Sequence, residues 1–253
     1  MIRLSVNVNK VATLRNSRGG HEPSVLAAVQ TCLDAGAKGI TIHPRADERH
    51  IRRSDIFEVA EKLAPYRDRV EFNIEGDPRP ELLDAVCEVR PHQCTLVPVR
   101  PGEITSQAGW DRSTDRELLR GVVRRLQDHD VRVSLFVDPT HEGIELAADV
   151  GADRVELFTE PFAAAFARGL DQGRLSFNTY VAAAELARRH DLGINAGHDL
   201  NLDNLSLFRT LPYLDEVSIG HALIGHALFV GLRQAVHDYL VALTPVGAAP
   251  RAS

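Results

Sequence analysis

The sequence predicts an α/β fold, a parallel (β/α)8 TIM barrel with additional short helices. Short β-branched runs alternate with helical patterns, which favours a parallel sheet with crossover helices. The length of 253 residues is the usual size of one such barrel. No linker or change of composition divides the chain. We therefore expect one barrel domain over residues 1–243 and a frayed tail of small residues over 244–253.

Eight runs have the length and composition of strands. Most are apolar almost throughout, which is typical of strands covered on both faces. The predicted strands are Leu4–Val8, Gly39–His43, Val70–Ile74, Cys94–Val97, Arg132–Val137, Arg154–Phe158, Leu192–Asn195 and Glu216–Ile219.

Helix starts lie between these runs. Ser24 and Thr140 are candidate N-caps, and Thr114 with Glu117 has the spacing of a capping box. In the last helix, one stripe is expected to carry Leu228, Leu232, Ala235, Val236, Tyr239 and Leu240.

Two connections exceed the minimal length of a βα loop. Pro98–Ser113 is predicted to form a lid that orders when substrates bind, and Thr105 would then reach a ligand. Glu160–Gly173 is predicted to carry an extra short helix that packs through Phe162 and Phe166.

Composition excludes several classes of protein. The 29 basic and 35 acidic residues give a net charge of −6, and a general nucleic-acid binder would need a basic excess. Cys32, Cys87 and Cys94 form no CxxC pair, which favours a reducing compartment. The amino terminus lacks a signal-peptide pattern, and the apolar runs are too short to span a bilayer. We expect a cytoplasmic protein that binds neither nucleic acid nor membrane.

Polar side chains recur where the predicted strands end. Reactive groups in such barrels project from the carboxyl ends of the strands. One histidine or glutamate at a strand end is as typical of a loop hydrogen bond as of catalysis, but their repetition on several strands predicts a joint site. The residues are Asn7, His43, Glu75, Glu156, His198 and His221.

Two stretches have the character of anion sites. Gly220 to Gly225 follows the eighth strand and opens a helix, where backbone amides and the helix dipole hold phosphate in many barrels. Arg45 and His50 flank the expected mouth and would bind a second phosphate. The charged residues between them are interpreted as a solvated loop.

Six blocks resemble the pyridoxine 5′-phosphate synthase family. They keep their order from residue 4 to about residue 240 and cover nearly the whole chain, which is more specific than any single motif. The blocks are Val6–Gly19, Thr41–Ile51, Phe72–Gly76, Arg90–Pro98, Asn195–His198 and Ser218–Gly225.

The resemblance implies a (β/α)8 barrel assembled as a homo-octamer. It implies condensation of 1-deoxy-D-xylulose 5-phosphate with 3-amino-2-oxopropyl phosphate, which gives pyridoxine 5′-phosphate, inorganic phosphate and water. Neither a metal nor an organic cofactor is implied.

The resemblance also assigns roles to positions. His43 and Glu75 match general bases, His198 a proton donor, and Glu156 a carboxylate that stabilises the transition state. Asn9-Lys10 stands where better-known members have Asp-His, and Asp199 replaces a glycine. The positions for the aminoketone phosphate are Asn7, Arg18, Asp199, Gly220 and His221, and those for the sugar phosphate are Asn9, Lys10, Arg45, His50 and Thr105.

Two other functions remain open from the residues alone. Histidines and glutamates at strand ends could bind a divalent ion in a metal-dependent isomerase or hydrolase, although the chain has no His-x-His pair; metal analysis would separate these. The second is a non-catalytic sensor that binds phosphosugars, against which all four proton-transfer positions hold competent residues.

Overall fold

A computed structural model describes residues 2–98, 108–111 and 113–244. Within these residues, eight parallel strands form a closed barrel in chain order, and the last strand pairs with the first. This confirms the predicted (β/α)8 barrel, with strand ends shifted by one or two residues. The strands are β1 (Arg3–Asn7), β2 (Gly39–Ile42), β3 (Glu71–Gly76), β4 (Gln93–Leu96), β5 (Arg132–Val137), β6 (Arg154–Leu157), β7 (Gly193–Gly197) and β8 (Leu214–Ile219).

The helices surround the barrel and bury their apolar faces against the strands. The additional short helix predicted after β6 is present. The helices in the described ranges are α1 (Asn9–Asn16), α2 (Val25–Asp34), α3 (Arg53–Leu63), α4 (Pro80–Val89), α5 (Arg116–Gln127), α6 (His141–Asp149), α7 (Glu160–Ala167), α8 (Leu170–Arg189), α9 (Leu205–Phe208), α10 (His221–Val230) and α11 (Leu232–Leu243).

Side-chain capping agrees with two predictions and corrects a third. Ser24 accepts a hydrogen bond from the first turn of α2, and Thr140 does the same for α6. The N-cap of α5 is Asp115, whose carboxylate accepts from the Leu118 amide at 3.1 Å. The expected capping box from Thr114 is therefore wrong by one residue, because the carboxylate of Asp115 competes successfully for the same amides.

The predicted last helix is two helices. Gly231 separates α10 from α11 with a φ of 85°, a left-handed conformation that glycine adopts without a steric penalty. Leu228 lies before this break and is 71% exposed. It therefore does not belong to the packed stripe. Ala235, Val236 and Tyr239 of α11 are buried and do belong to it.

The barrel interior is polar, which the sequence analysis did not predict. Gln93 on β4 accepts a hydrogen bond from Asn195 on β7 across the barrel at 3.4 Å. Thr95 donates to Asn73 at 3.1 Å, and all four side chains are at most 1% exposed. The expectation of strands that are apolar almost throughout is therefore wrong for their inner faces, where polar side chains alternate with outward apolar ones.

The amino-terminal mouth of the barrel holds a group of ion pairs, here called the amino-end cluster. It consists of Arg3, Glu71, Arg132 and Glu216. Glu71 lies 2.6 Å from Arg132 and 3.2 Å from Arg3. Glu216 lies 3.6 Å from Arg3. The two carboxylates at this mouth are thus buried beside arginines.

The predicted lid Pro98–Ser113 lies mostly outside the described residues, as does Thr105. The described part includes Trp110, whose indole N–H donates to the Leu96 carbonyl at 2.8 Å. Its backbone amide donates to the Phe136 carbonyl at 3.0 Å. These bonds attach the end of the segment to β4 and β5.

Candidate active site

The carboxyl-terminal mouth of the barrel brings together four predicted acid–base side chains, here called the carboxyl-end cluster. They are His43 after β2, Glu75 in β3, Glu156 in β6 and His198 after β7. A positive charge on His198 lowers the pKa of both His43 and Glu156, which shows that the four groups share one electrostatic environment.

His43 and Glu75 form the best-defined pair of this cluster. His43 Nδ1 lies 3.6 Å from Glu75 Oε2, and both side chains are almost fully buried. His43 Nε2 has no hydrogen-bond partner among the described residues. Glu75 accepts long hydrogen bonds from Asn7 Nδ2 at 3.4 Å and from Ser218 Oγ at 3.5 Å. The second imidazole nitrogen is thus buried without a hydrogen-bond partner among the described residues.

Burial sets the protonation states of this pair. It lowers the pKa of His43 well below its usual range, and the charges of His50 and Arg45 add to the effect. It raises the pKa of Glu75 to about 8, against the opposing effect of the Ser218 hydrogen bond. At neutral pH these shifts favour a protonated Glu75 carboxyl group beside a neutral His43 imidazole, which has one unprotonated ring nitrogen.

Glu156 is a second acid in the same state. Burial, together with the nearby charge of Glu75, raises its pKa to about 8. Its Oε2 accepts a hydrogen bond from Thr95 Oγ1 at 3.5 Å. Two buried carboxyl groups so close together disfavour the doubly charged state, so one of them retains a proton near neutral pH.

His198 is held in a strained backbone conformation. Its φ is 74°, which costs a non-glycine residue on the order of 1–3 kcal/mol and is typical of functional positions. Its ring packs edge-on to Phe158 with a centroid distance of 5.5 Å. Nδ1 lies 3.0 Å from the exposed Asp199 carboxylate, which orients the imidazole. Nε2 is left as the nitrogen for proton transfer.

Four of the five predicted sugar-phosphate residues lie beside His43. Asn9 Oδ1 accepts from the His43 backbone amide at 2.9 Å, so this side chain positions the end of β2. Burial, together with the charges of Arg45 and Lys10, lowers the pKa of His50 to about 4. Both cations are therefore close to His50, as an anion site requires.

The aminoketone-phosphate residues are only partly assembled. A Cβ on Gly220 would lie 3.1 Å from the Asn7 side chain, so these two positions are adjacent. The exposed His221 is the first residue of α10, as predicted for a phosphate at a helix start. Arg18 is exposed in the turn after α1. Asp199 directs its carboxylate to His198.

Ser218 and Thr95, which hydrogen-bond the two buried acids, were not predicted. The signal for them is the alternation of polar and apolar residues along the strands, as in Glu216-Val217-Ser218. In the part of the chain that the structure describes, no three His, Cys, Asp or Glu side chains are arranged to hold a metal ion. No helix in these ranges could cross a membrane.

A closed parallel barrel with clustered acids and imidazoles at the carboxyl ends of its strands defines an enzyme of the (β/α)8 class. A solved structure, thiamine phosphate pyrophosphorylase from Pyrococcus furiosus, has a similar fold with a TM-score of 0.60. It is 14% identical in sequence and covers 96% of this chain and 95% of that chain. This likeness concerns the fold alone.

Sequence comparison identifies the family. The family model described as pyridoxal phosphate biosynthesis protein PdxJ matches residues 4–244. Pyridoxine 5′-phosphate synthase from Bacteroides fragilis is 51% identical, and that from Phocaeicola vulgatus 50%; each match covers 94% of this chain and 98% of the relative. The chain belongs to the PdxJ family and is an enzyme of the pyridoxine 5′-phosphate synthase type.

Proposed function

We propose that the chain condenses 1-deoxy-D-xylulose 5-phosphate with 3-amino-2-oxopropyl phosphate to give pyridoxine 5′-phosphate, inorganic phosphate and water. The observation that carries this proposal is the carboxyl-end cluster, with proton acceptors and donors at one mouth of the barrel. Relatives named pyridoxine 5′-phosphate synthase match nearly the whole chain. No metal or organic cofactor is part of the proposal.

The reaction needs several proton transfers in sequence. An amine must join a ketone, water and phosphate must leave, and an aromatic ring must close. Neutral His43 accepts a proton through Nε2, and Glu75 serves as a second base once it has released its own proton. A general base typically contributes on the order of 10²–10⁴ in rate when its pKa is near the working pH.

Glu156 and His198 have the roles complementary to those of the two bases. We assign Glu156 to stabilising the transition state as a carboxylate, the form it takes when Glu75 keeps the proton that the two buried acids compete for, in a low-dielectric interior where such an interaction is strong. We assign His198 to proton donation, with Asp199 fixing its ring. Acids and bases with separated environments allow one mouth to run both kinds of step.

The two phosphates bind at opposite sides of this cluster. Lys10, Arg45 and His50 surround the proposed sugar-phosphate site, with Asn9 holding the adjacent backbone and Thr105 completing it. Asn7, Gly220 and the start of α10 form the proposed aminoketone-phosphate site, to which Arg18 also belongs. Holding both substrates converts a bimolecular step into a local one.

The proposal includes a cytoplasmic homo-octamer with a closing lid over residues 98–113. The three cysteines are free thiols in the structure, which is compatible with a reducing compartment. Sedimentation tests the assembly: an octamer is expected at micromolar concentration, and a monomer alone would contradict it.

Incubation of the purified chain with both substrates tests the function. Formation of pyridoxine 5′-phosphate, followed by absorbance and mass, is the expected result. Chelator-treated enzyme with its metal content measured should react at the same rate. Binding of the sugar phosphate without any product would instead favour a non-catalytic sensor.

A further inference from the structure

Arg79 lies just outside the carboxyl-end cluster and contacts its backbone. The residue precedes α4, in the loop that follows β3 and Glu75. Its Nη2 donates to the Pro44 carbonyl at 3.0 Å, and its Nη1 pairs with the Asp77 carboxylate. The side chain is 18% exposed, so these contacts are largely shielded from water.

The peptide that Arg79 contacts joins Pro44 to Arg45, one residue after His43. Pro44 stands between His43 and Arg45. On the other side, the His43 amide donates to Asn9. The end of β2 is therefore held from β1 through its N–H group and from the β3 loop through its carbonyl group. The first bond fixes the Ile42–His43 peptide and the second the Pro44–Arg45 peptide, so the backbone is held on both sides of the His43–Pro44 bond.

The charge of Arg79 also reaches the site. Together with burial and the charges of His50, Arg45 and His198, it lowers the pKa of His43. The guanidinium thus favours the neutral imidazole that the proposed base requires. One planar cation supplies both the hydrogen bond and the charge, with Asp77 fixing its orientation.

We propose that Arg79 is a positioning residue for the sugar-phosphate half of the site, holding the peptide that sets the directions of His43 and Arg45. This inference rests on the proposed function. It adds a residue from the loop after β3 to the two positions, His43 and Arg45, that the sequence indicated.

Substitution of Arg79 by methionine tests the inference. We expect Arg79→Met to raise the KM for the sugar phosphate about 10-fold, which corresponds to the loss of a charge-assisted hydrogen bond. The kcat should fall because the base is misdirected. The KM for the aminoketone phosphate should change less than about 2-fold, because its proposed site lies on β1 and β8. Arg79→Lys keeps the charge and one donor and should restore part of the loss.

Arg53 provides a matched control. It lines the same cavity of about 330 Å³ as Arg45 and Arg79, but its side chain is exposed and its Nη1 donates to the Glu81 carbonyl at 3.3 Å. Arg53→Met removes an arginine from this cavity without touching the peptide at Pro44. Its kinetic constants should match those of the wild type.

The possible outcomes are distinct. If the wild type makes no pyridoxine 5′-phosphate, the proposed function fails. If the wild type is active and Arg79→Met matches Arg53→Met in all kinetic constants, the inference is overturned. A lowered Tm for Arg79→Met with unchanged constants per folded molecule would assign Arg79 a structural role and likewise overturn it. Equal increases in both KM values would also contradict it.

Discussion

The two mouths of the barrel both bury glutamates, but they surround them differently. At the amino end, Glu71 lies within 3.2 Å of two arginines. At the carboxyl end, the described residues place no arginine or lysine in an ion pair with Glu75 or Glu156; Glu75 has only neutral His43 at 3.6 Å. Glu71 is therefore paired closely with two cations at one mouth, whereas Glu75 and Glu156 are left to hold a proton at the other.

This difference separates stability from chemistry. Removing a buried carboxylate that has close cationic partners leaves those partners uncompensated. A buried acid without such a partner takes up a proton, as the pKa of about 8 shows for Glu75 and for Glu156. That proton is exchangeable near neutral pH, which suits catalysis and contributes little to folding.

The largest expected effect is the loss of turnover in Glu75→Gln. The amide keeps the shape of the protonated acid but cannot act as a base, so kcat should fall on the order of 10²–10⁴. The Tm should stay unchanged or rise, because the amide, unlike Glu75, gains no free energy by ionising in the unfolded chain. Steady-state kinetics and thermal melting measure both. Exposed Glu58→Gln on α3 is the control, and near wild-type turnover in Glu75→Gln would refute the assignment of the base.

The matching substitution at the amino end should have the reverse outcome. Glu71→Gln leaves Arg3 and Arg132 without their shared carboxylate and should lower the free energy of unfolding on the order of 3 kcal/mol. Activity per folded molecule should be unchanged. Denaturant unfolding, with active-site titration of the folded fraction, measures both quantities. An unchanged free energy of unfolding in Glu71→Gln would contradict the stabilising role assigned to Glu71 at the amino end.

The free energy of unfolding should fall as pH rises from 6.5 to 8. Above pH 4.5 the unfolded chain releases glutamate protons that folded Glu75, Glu156 and Glu216 still hold, up to a pKa of about 8. His43 and His50, whose pKa values are lowered, oppose this trend only below 6.5. The slope is at most about 1.4 kcal/mol per pH unit for each proton.

Urea unfolding at several pH values tests this dependence. In Glu75→Gln the decrease between pH 6.5 and 8 should be shallower than in the wild type, because one of the acids no longer titrates. A flat or rising profile in the wild type would show that the three acids are already ionised in the folded chain.

Glu216→Gln should have the smallest effect. Although Arg3 lies 3.6 Å away, burial and the charge of Glu71 raise the pKa of Glu216 to about 8. Glutamine therefore resembles the form present at pH 7, and the free energy of unfolding should change by less than about 1 kcal/mol. A loss as large as that of Glu71→Gln would mean that Glu216 is charged in the folded chain.

The sequence predicted the barrel because its signals are local: β-branched runs, N-caps such as Ser24, and polar residues such as His43 at strand ends. The polar interior was not predicted, because the total hydrophobicity of a run does not reveal alternation along it. In the third strand, polar and apolar residues alternate at every position of Glu71-Phe72-Asn73-Ile74-Glu75. The hydrogen bond from Arg79 to the Pro44 carbonyl could not be predicted, since it depends on the distance between two loops.

Infrared difference spectroscopy of Glu75 tests the central claim most directly. The band of a protonated carboxyl group is compared between the wild type and Glu75→Gln across the pH range. We predict a difference band at neutral pH that disappears with a midpoint near 8. A midpoint near the ordinary glutamate value of about 4.3 would show that Glu75 is ionised like a surface acid and would contradict the account.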